Sequence, residues 1–429
     1  MTRELVALLA GHEVGRIHQD KRGKLSLRYD RDWREADNAY PLSLSMPLAA
    51  EEHGNDVVTA FLWGLLPDNE FVLERWARKY QVSARNPFAL LSHVGEDCAG
   101  AVQFVSPERL DAVRSGADDR VEWLDERAIA ERLRLLRKDH AAWRLPRDTG
   151  QFSLAGAQPK TALLFQNGKW GIPSGRIPTT HILKPPTGRF DGHAENEHVC
   201  LLLARALGLP TATSQVMKFE REIAIVVERY DRLRSGNEII RVHQEDMCQA
   251  LGIMPTRKYQ AEGGPGIADI INLLRTHSSE RSEDVATFVN SIAFNWLIAG
   301  TDTHAKNYSL LLTAGPRVRL APLYDIASVL PYGDIDLQKA KFSMKIGGEY
   351  LVMQIASRQW KKLVREVHID ADEFMATLLA TARRLPDEVS KVRARVHREG
   401  LDLAIVGRLT DRLIERAMEC ERALRQTRR

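Results

Sequence analysis

Asp302 and Asn307 stand five positions apart in the segment Gly300-Thr301-Asp302-Thr303-His304-Ala305-Lys306-Asn307. Transfer of a phosphoryl group to a hydroxyl calls for a carboxylate that orients the acceptor and takes its proton. It also calls for an oxygen ligand nearby that holds a magnesium ion on the phosphates. An Asp and an Asn at this spacing can fill those two roles, and the spacing is that of the protein-kinase catalytic loop. Both are common turn residues too, so the segment alone fits a capped turn equally well. Downstream, Leu310 to Leu312 and Val318 to Ala321 flank Gly315-Pro316 and predict a hairpin whose far end returns Asp325 beside Asn307. A hairpin with an oxygen ligand at each end suits a triphosphate bound through metal; a helix cap for Ile326 to Leu330 is the alternative for Asp325. His304 and Lys306 would stabilise developing negative charge or face solvent.

These loops need elements to hold them. Val285, Phe288, Val289, Ile292 and Trp296 recur at helical spacing and predict a helix running straight into Gly300, and Phe374, Leu378, Ala382 and Leu385 repeat the pattern. Upstream, Thr161 to Phe165, the turn pair Asn167-Gly168 and Lys169 to Ile172 predict a hairpin. A third strand ends at Thr180 to Lys184. A helix with Val199, Leu202, Leu203 and Ala206 inward follows and is stopped by Gly208 and Pro210, and Ile223 to Val227 reads as a buried strand. The first hundred residues mix short strands such as Leu25 to Tyr29 with the apolar segment Phe61 to Leu66 that stops at Pro67, a small α+β unit. Asp111 to Arg147 is charged and predicts a connecting surface helix. The expectation is an α+β chain with a two-lobed, kinase-like fold, a β-rich N-lobe and a mostly helical C-lobe. Its segments are 1–110 (N-terminal subdomain), 111–150 (connector), 151–235 (N-lobe) and 236–429 (C-lobe).

Composition limits the alternatives. The 429 residues predict two or three packed units, and the hydrophobic and charged fractions of 44% and 28% are globular. No stretch approaches the roughly 20 apolar residues of a membrane span, and the run Leu5 to Ala10 is too short for a signal peptide. A soluble, cytoplasmic protein with no membrane partner is expected. Cys98, Cys200, Cys248 and Cys420 form no CxxC pair, which argues for buried thiols rather than zinc ligands or disulfides. The 61 basic against 57 acidic residues give no overall excess that implies nucleic acid, although an Arg-rich tail ends in Arg425, Arg428 and Arg429.

The Asp-x-His-x-Lys-Asn core, here Asp302, His304, Lys306 and Asn307, resembles the catalytic loop of the HipA family of bacterial toxin kinases, and Tyr324-Asp325 resembles that family's magnesium-binding Asp. Phe152 to Thr161 is similar to the family's phosphate loop, with Ser153, Ala155, Gly156, Ala157, Gln158 and Lys160 at the matching positions. Small residues there let backbone N–H groups approach phosphate. Thr180 to Lys184 resembles the strand whose lysine meets the nucleotide phosphates, with Glu195 or Glu197 as ion-pair partner of Lys184. Glu228 and Tyr230 lie in a segment that resembles the hinge contacting adenine through backbone atoms. His243-Gln244-Glu245-Asp246 also resembles a family segment; its acidic residues read as structural, capping the helix Met247 to Leu251. Val14 to Ile17 and Leu65-Leu66-Pro67 are similar to the family's N-terminal unit. Pro159 departs from relatives that carry an acidic residue there.

The resemblance implies a serine/threonine-protein kinase using ATP and Mg2+, with Asp302 as base and Asn307 and Asp325 as metal ligands. It also implies autophosphorylation of Ser153 that switches the enzyme off. Its implied partners are a HipB-like helix-turn-helix antitoxin, operator DNA reached mainly through that antitoxin, and a protein substrate that in the best-known members is an aminoacyl-tRNA synthetase. Two other readings remain at this point: a catalytically silent corepressor, and a kinase of small molecules or lipids whose acceptor pocket the sequence does not expose.

Overall fold

The computed structural model describes residues 3–144, 152–186, 188, 192–236, 238–315, 317–401 and 404–425. The chain divides into two compact units, each discontinuous: Met1–Pro185, Met217–Arg257 and Ser309–Ala321 form the first, and Pro186–Val216, Lys258–Tyr308 and Pro322–Arg429 the second. These cut across the linear segments expected from sequence. The end of the 111–150 connector, the segment around residue 190 and Arg428 and Arg429 of the tail lie outside the described residues.

The first unit holds two large sheets and two smaller ones. A five-stranded sheet orders Glu52–His53, Leu25–Tyr29, His12–Gln19, Arg3–Leu9 and Val102–Val105 side by side. The apolar run Leu5 to Leu9 is a core strand, buried along its length. The helices Asn55–Gly64 and Pro87–Val94 pack on this sheet through Val58, Phe61, Leu62, Phe88 and Leu91. The six-stranded sheet runs Ser214–Phe219, Glu222–Glu228, His181–Lys184, Thr161–Gln166, Lys169–Ser174 and Arg120–Leu124. Its central hairpin turns at Asn167 and Gly168, both with positive φ (52° and 74°), the two-residue turn whose twist matches the strands.

Two elements of this sheet depart from expectation. Arg120–Leu124, within the expected helical connector, is an edge strand paired with Lys169–Ser174. Its residues are half-buried or exposed, so it carries no apolar run that would announce it. The helix Glu126–Lys138 does follow, but it buries Leu133 and Leu136 rather than lying free on the surface. The strand Ser214–Phe219, with only its end residues buried, was likewise not expected.

Beyond residue 236 the chain is mostly helical, as expected, and also carries short strands. Glu238–Arg241 pairs with Arg232–Ser235, and His243–Asp246, Ser309–Thr313 and Arg317–Leu320 form a three-stranded sheet. Asp246 caps the helix Met247–Ala250 through a reciprocal bond pair with Gln249, as its sequence position predicts. The second unit is built on the helices His193–Ala206, Ile267–His277, Arg281–Leu297, Ser357–Glu366, Ala371–Arg398 and Ala404–Arg425. Trp296 and Trp360 meet edge to face at 5.7 Å in its core. All four cysteines are buried and free, and no helix among the described residues is long and apolar enough to cross a membrane.

Candidate active site

In the second unit, burial of Val285, Phe288, Val289, Ile292 and Trp296 fixes the Arg281–Leu297 helix and with it the loop that leaves its end. The exit is a tight reversal. Ala299 has φ +50°, and a Cβ on Gly300 would lie 2.4 Å from Asn295 Oδ1 and 3.2 Å from the Ala327 carbonyl, so glycine alone fits. The Gly300 N–H donates to the Asn295 carbonyl at 2.7 Å. Ser328 Oγ donates to the Ile298 carbonyl at 2.6 Å and the Val329 N–H to that of Ala299 at 3.2 Å. Residues 326–330 form no helix, which removes the helix-cap reading of Asp325.

The reversal presents Asp302, whose side chain is 71% exposed, beside His304, which is buried. Tyr259 Oη donates to Asp302 Oδ1 at 3.1 Å, and its ring meets that of His304 edge-on at 5.1 Å. His304 Nε2 lies 3.9 Å from the same carboxylate oxygen. The Asn307 side-chain amide donates to the Asp302 carbonyl at 2.5 Å, and the Asn307 N–H to the His304 carbonyl at 2.9 Å. With its NH2 committed inward, the amide oxygen of Asn307 is the group left for a cation. Burial lowers the His304 pKa to about 4, against the pull of Asp302 and Asp325 and with the push of Lys258 and Lys306, so the ring is neutral at pH 7. Lys306 is buried and its carbonyl accepts from Tyr324 Oη at 2.8 Å, which ties the Asp325 segment to the catalytic-loop candidate. Asp325 itself has φ +55°, a left-handed conformation that Asp tolerates better than most residues.

Among the described residues no group of three or more His, Cys, Asp or Glu side chains could hold a metal ion. Asn307 and Asp325 offer oxygen donors only, the hard set that suits magnesium, which takes its remaining ligands from phosphates and water.

In the first unit, the Ser153 hydroxyl is fully buried and donates to the Leu65 carbonyl at 2.7 Å. Gly156 has φ +100°, and Lys160 Nζ donates to the Ala155 carbonyl at 2.7 Å, folding back under the loop with Trp143 5.2 Å away. Ala157 is exposed and Gln158 half-buried. Lys184 is buried at the end of its strand, opposite Ile225, while Glu228 pairs with His181 in the same ladder and is exposed. Tyr230 Oη donates to the Gln244 side chain. Glu195 and Glu197 are buried in the second unit. Asp302, His304, Lys306, Asn307 and Asp325 thus gather in the second unit, and the expected phosphate-loop, lysine and hinge residues in the first.

Two features escaped sequence reasoning. Tyr259 carries no motif that marks it as a partner of Asp302. The other is a buried ionic cluster: the Asp97 carboxylate accepts from Arg232 at 2.9 Å, Arg241 at 3.2 Å and Thr179 Oγ1 at 2.6 Å, while Arg229 binds Asp231 at 2.8 Å. The charge alternation Arg229-Tyr230-Asp231-Arg232 was its visible trace. The arginines hold the Asp97 carboxyl below the ordinary carboxylate range despite burial, which opposes them.

A family model described as HipA-like C-terminal domain matches residues 152–390, and one described as HipA N-terminal domain matches residues 5–105. A putative kinase, Y4mE, of Sinorhizobium fredii is 36% identical over 403 residues, covering 92% of each chain. The serine/threonine-protein kinase toxin HipA of Shewanella oneidensis is 29% identical over 381 residues, 86% of this chain and 84% of that one. The fold is similar to that of a chain in a solved complex of Shewanella oneidensis HipA, HipB and operator DNA. The TM-score is 0.81 at 25% identity, with 96% of both chains covered.

Proposed function

The chain belongs to the HipA family of kinases, and from that premise we propose that it transfers the γ-phosphate of Mg-ATP to Ser or Thr hydroxyls of a protein target and to its own Ser153. The observation that carries this reading is the Asp302 carboxylate, exposed, held by Tyr259 and locked through its backbone to Asn307. Asp302 takes the acceptor hydroxyl proton as the new O–P bond forms and the bond to the departing ADP oxygen breaks. Asn307 and Asp325 hold the magnesium that neutralises the phosphates when bound. Lys184 and backbone N–H groups of residues 154–158 hold the phosphates, His304 and Lys306 line the transfer site, and the chain around Glu228 and Tyr230 meets adenine. Residues 1–110 serve as the family's N-terminal subdomain, 151–235 as the nucleotide lobe and 236–429 as the catalytic lobe, all in the cytoplasm.

By analogy with the Shewanella oneidensis complex, we assign a helix-turn-helix antitoxin as partner, through which the chain reaches operator DNA. An aminoacyl-tRNA synthetase is the first substrate to test. Phosphate on Ser153 adds roughly −1.5 to −2 charge where ATP phosphates would lie. The Ser153 hydroxyl is buried against Leu65, so modification requires the loop to leave, which switches the enzyme off. Mass spectrometry of the chain expressed with and without Asp302→Asn tests this: Ser153 phosphate should appear only with Asp302 intact, and its absence from both would end the autophosphorylation reading.

A further inference from the structure

A loop that offers its N–H groups to phosphate cannot spend them on a regular ladder of its own, so something else must hold its shape. Residues 152–160 form no helix or strand. Their anchors come instead from the N-terminal subdomain, which contributes none of the proposed catalytic residues. The Ser153 N–H donates to the Asp97 carbonyl at 3.0 Å and its hydroxyl to the Leu65 carbonyl at 2.7 Å. The Asp68 N–H donates to the Gly156 carbonyl at 3.1 Å, and Pro67 forms a parallel bridge with Gly156. Both sides of this clamp are rigid: Leu65 and Leu66 are fully buried where the Asn55–Gly64 helix ends, and Asp97 is fixed by Arg229, Arg232, Arg241 and Thr179.

We propose that Leu65, Asp68 and Asp97 are positioning residues that clamp the phosphate loop at Ser153 and Gly156 in its nucleotide-binding shape, making the N-terminal subdomain part of the ATP site without touching ATP. The inference rests on the assignment of residues 153–158 as the phosphate loop. The clamp and a phosphate on Ser153 exclude each other, because the hydroxyl oxygen that would carry the phosphate is the one that donates to Leu65.

Asp68→Pro in the full-length chain deletes one clamp N–H, and Pro67, already extended in its bridge, accepts a following proline. Calorimetric titration with Mg-ATP should show affinity weakened about fivefold, the worth of one hydrogen bond, while Asp68→Asn, which keeps the N–H, restores parental binding. A melting temperature measured alongside separates this from general destabilisation. Equal Mg-ATP affinity in the proline and parent chains overturns the clamp. If the parent itself binds no Mg-ATP, the kinase reading fails and the clamp with it. Should the proline variant not fold, hydrogen exchange of the Asp68 amide in the unaltered chain decides: it should slow when Mg-ADP is added, by linkage between clamp and nucleotide, and unchanged exchange overturns the proposal.

Discussion

The phenol of Tyr259 donates to the carboxylate of Asp302, with 3.1 Å between Oη and Oδ1. An exposed carboxylate on a loop would otherwise sample several rotamers, so this bond selects the one that also sets Oδ1 3.9 Å from Nε2 of His304, whose ring Tyr259 contacts. Tyr259→Phe keeps the ring contact and removes only the hydroxyl. The expected result is a fall in the phosphoryl-transfer rate of about threefold to tenfold with KM for ATP unchanged. Steady-state kinetics with both ATP and protein acceptor varied checks it, and an unchanged rate would remove Tyr259 from the site.

Asp325→Ala leaves Asn307 as the single remaining ligand of the pair, and a neutral amide oxygen is a poor substitute for a carboxylate on a hard divalent cation. Affinity for ATP in the presence of magnesium should drop to the value measured in EDTA. Calorimetry with and without magnesium reads this directly, and retained magnesium dependence would contradict the assignment.

The stability of the first unit should peak near pH 6.5. Burial pushes Glu245 up to about 8 from its ordinary 4.5, against hydrogen bonds from Ser43 and Leu44. Burial likewise lowers His181 and His243 from 6.5 to about 4. Below pH 6.5 the unfolded chain protonates two histidines that the folded chain keeps neutral, outweighing the one proton that folded Glu245 retains, so stability rises with pH. Between 6.5 and 8 Glu245 leads: the folded state binds the extra proton, and stability falls by up to about 1.4 kcal/mol per pH unit. Glu245→Gln should flatten that alkaline limb in denaturant titrations run across the pH range; a limb that persists assigns it to another group.

The helix and the hairpin that flank the catalytic-loop candidates were legible because their signals are local. The Arg281–Leu297 helix writes its buried face at helical spacing, and Ser309–Thr313 and Arg317–Leu320 flank a Gly-Pro turn. Arg120–Leu124 was illegible because its alternation of Val121 and Trp123 with Arg120 and Glu122 is only five residues long and sits in a charged stretch that reads as helical. The Asp97 cluster joins residues more than a hundred positions apart, and Tyr259 meets Asp302 across 43. Contacts of that range leave no periodic trace in a single sequence. The helix that was the alternative reading of Asp325 is absent for a related reason: Ser328 and Val329 bond to the end of another helix instead.

The central claim is that Asp302 drives transfer of the ATP γ-phosphate to protein. The most direct test incubates the purified chain and its Asp302→Asn variant with γ-labelled Mg-ATP and a cell lysate, and reads the label on protein. The parent chain should label itself and at least one lysate protein on serine or threonine, and the variant, with unchanged melting temperature, should lose about 100-fold or more of that activity. Equal labelling by both chains would contradict the account.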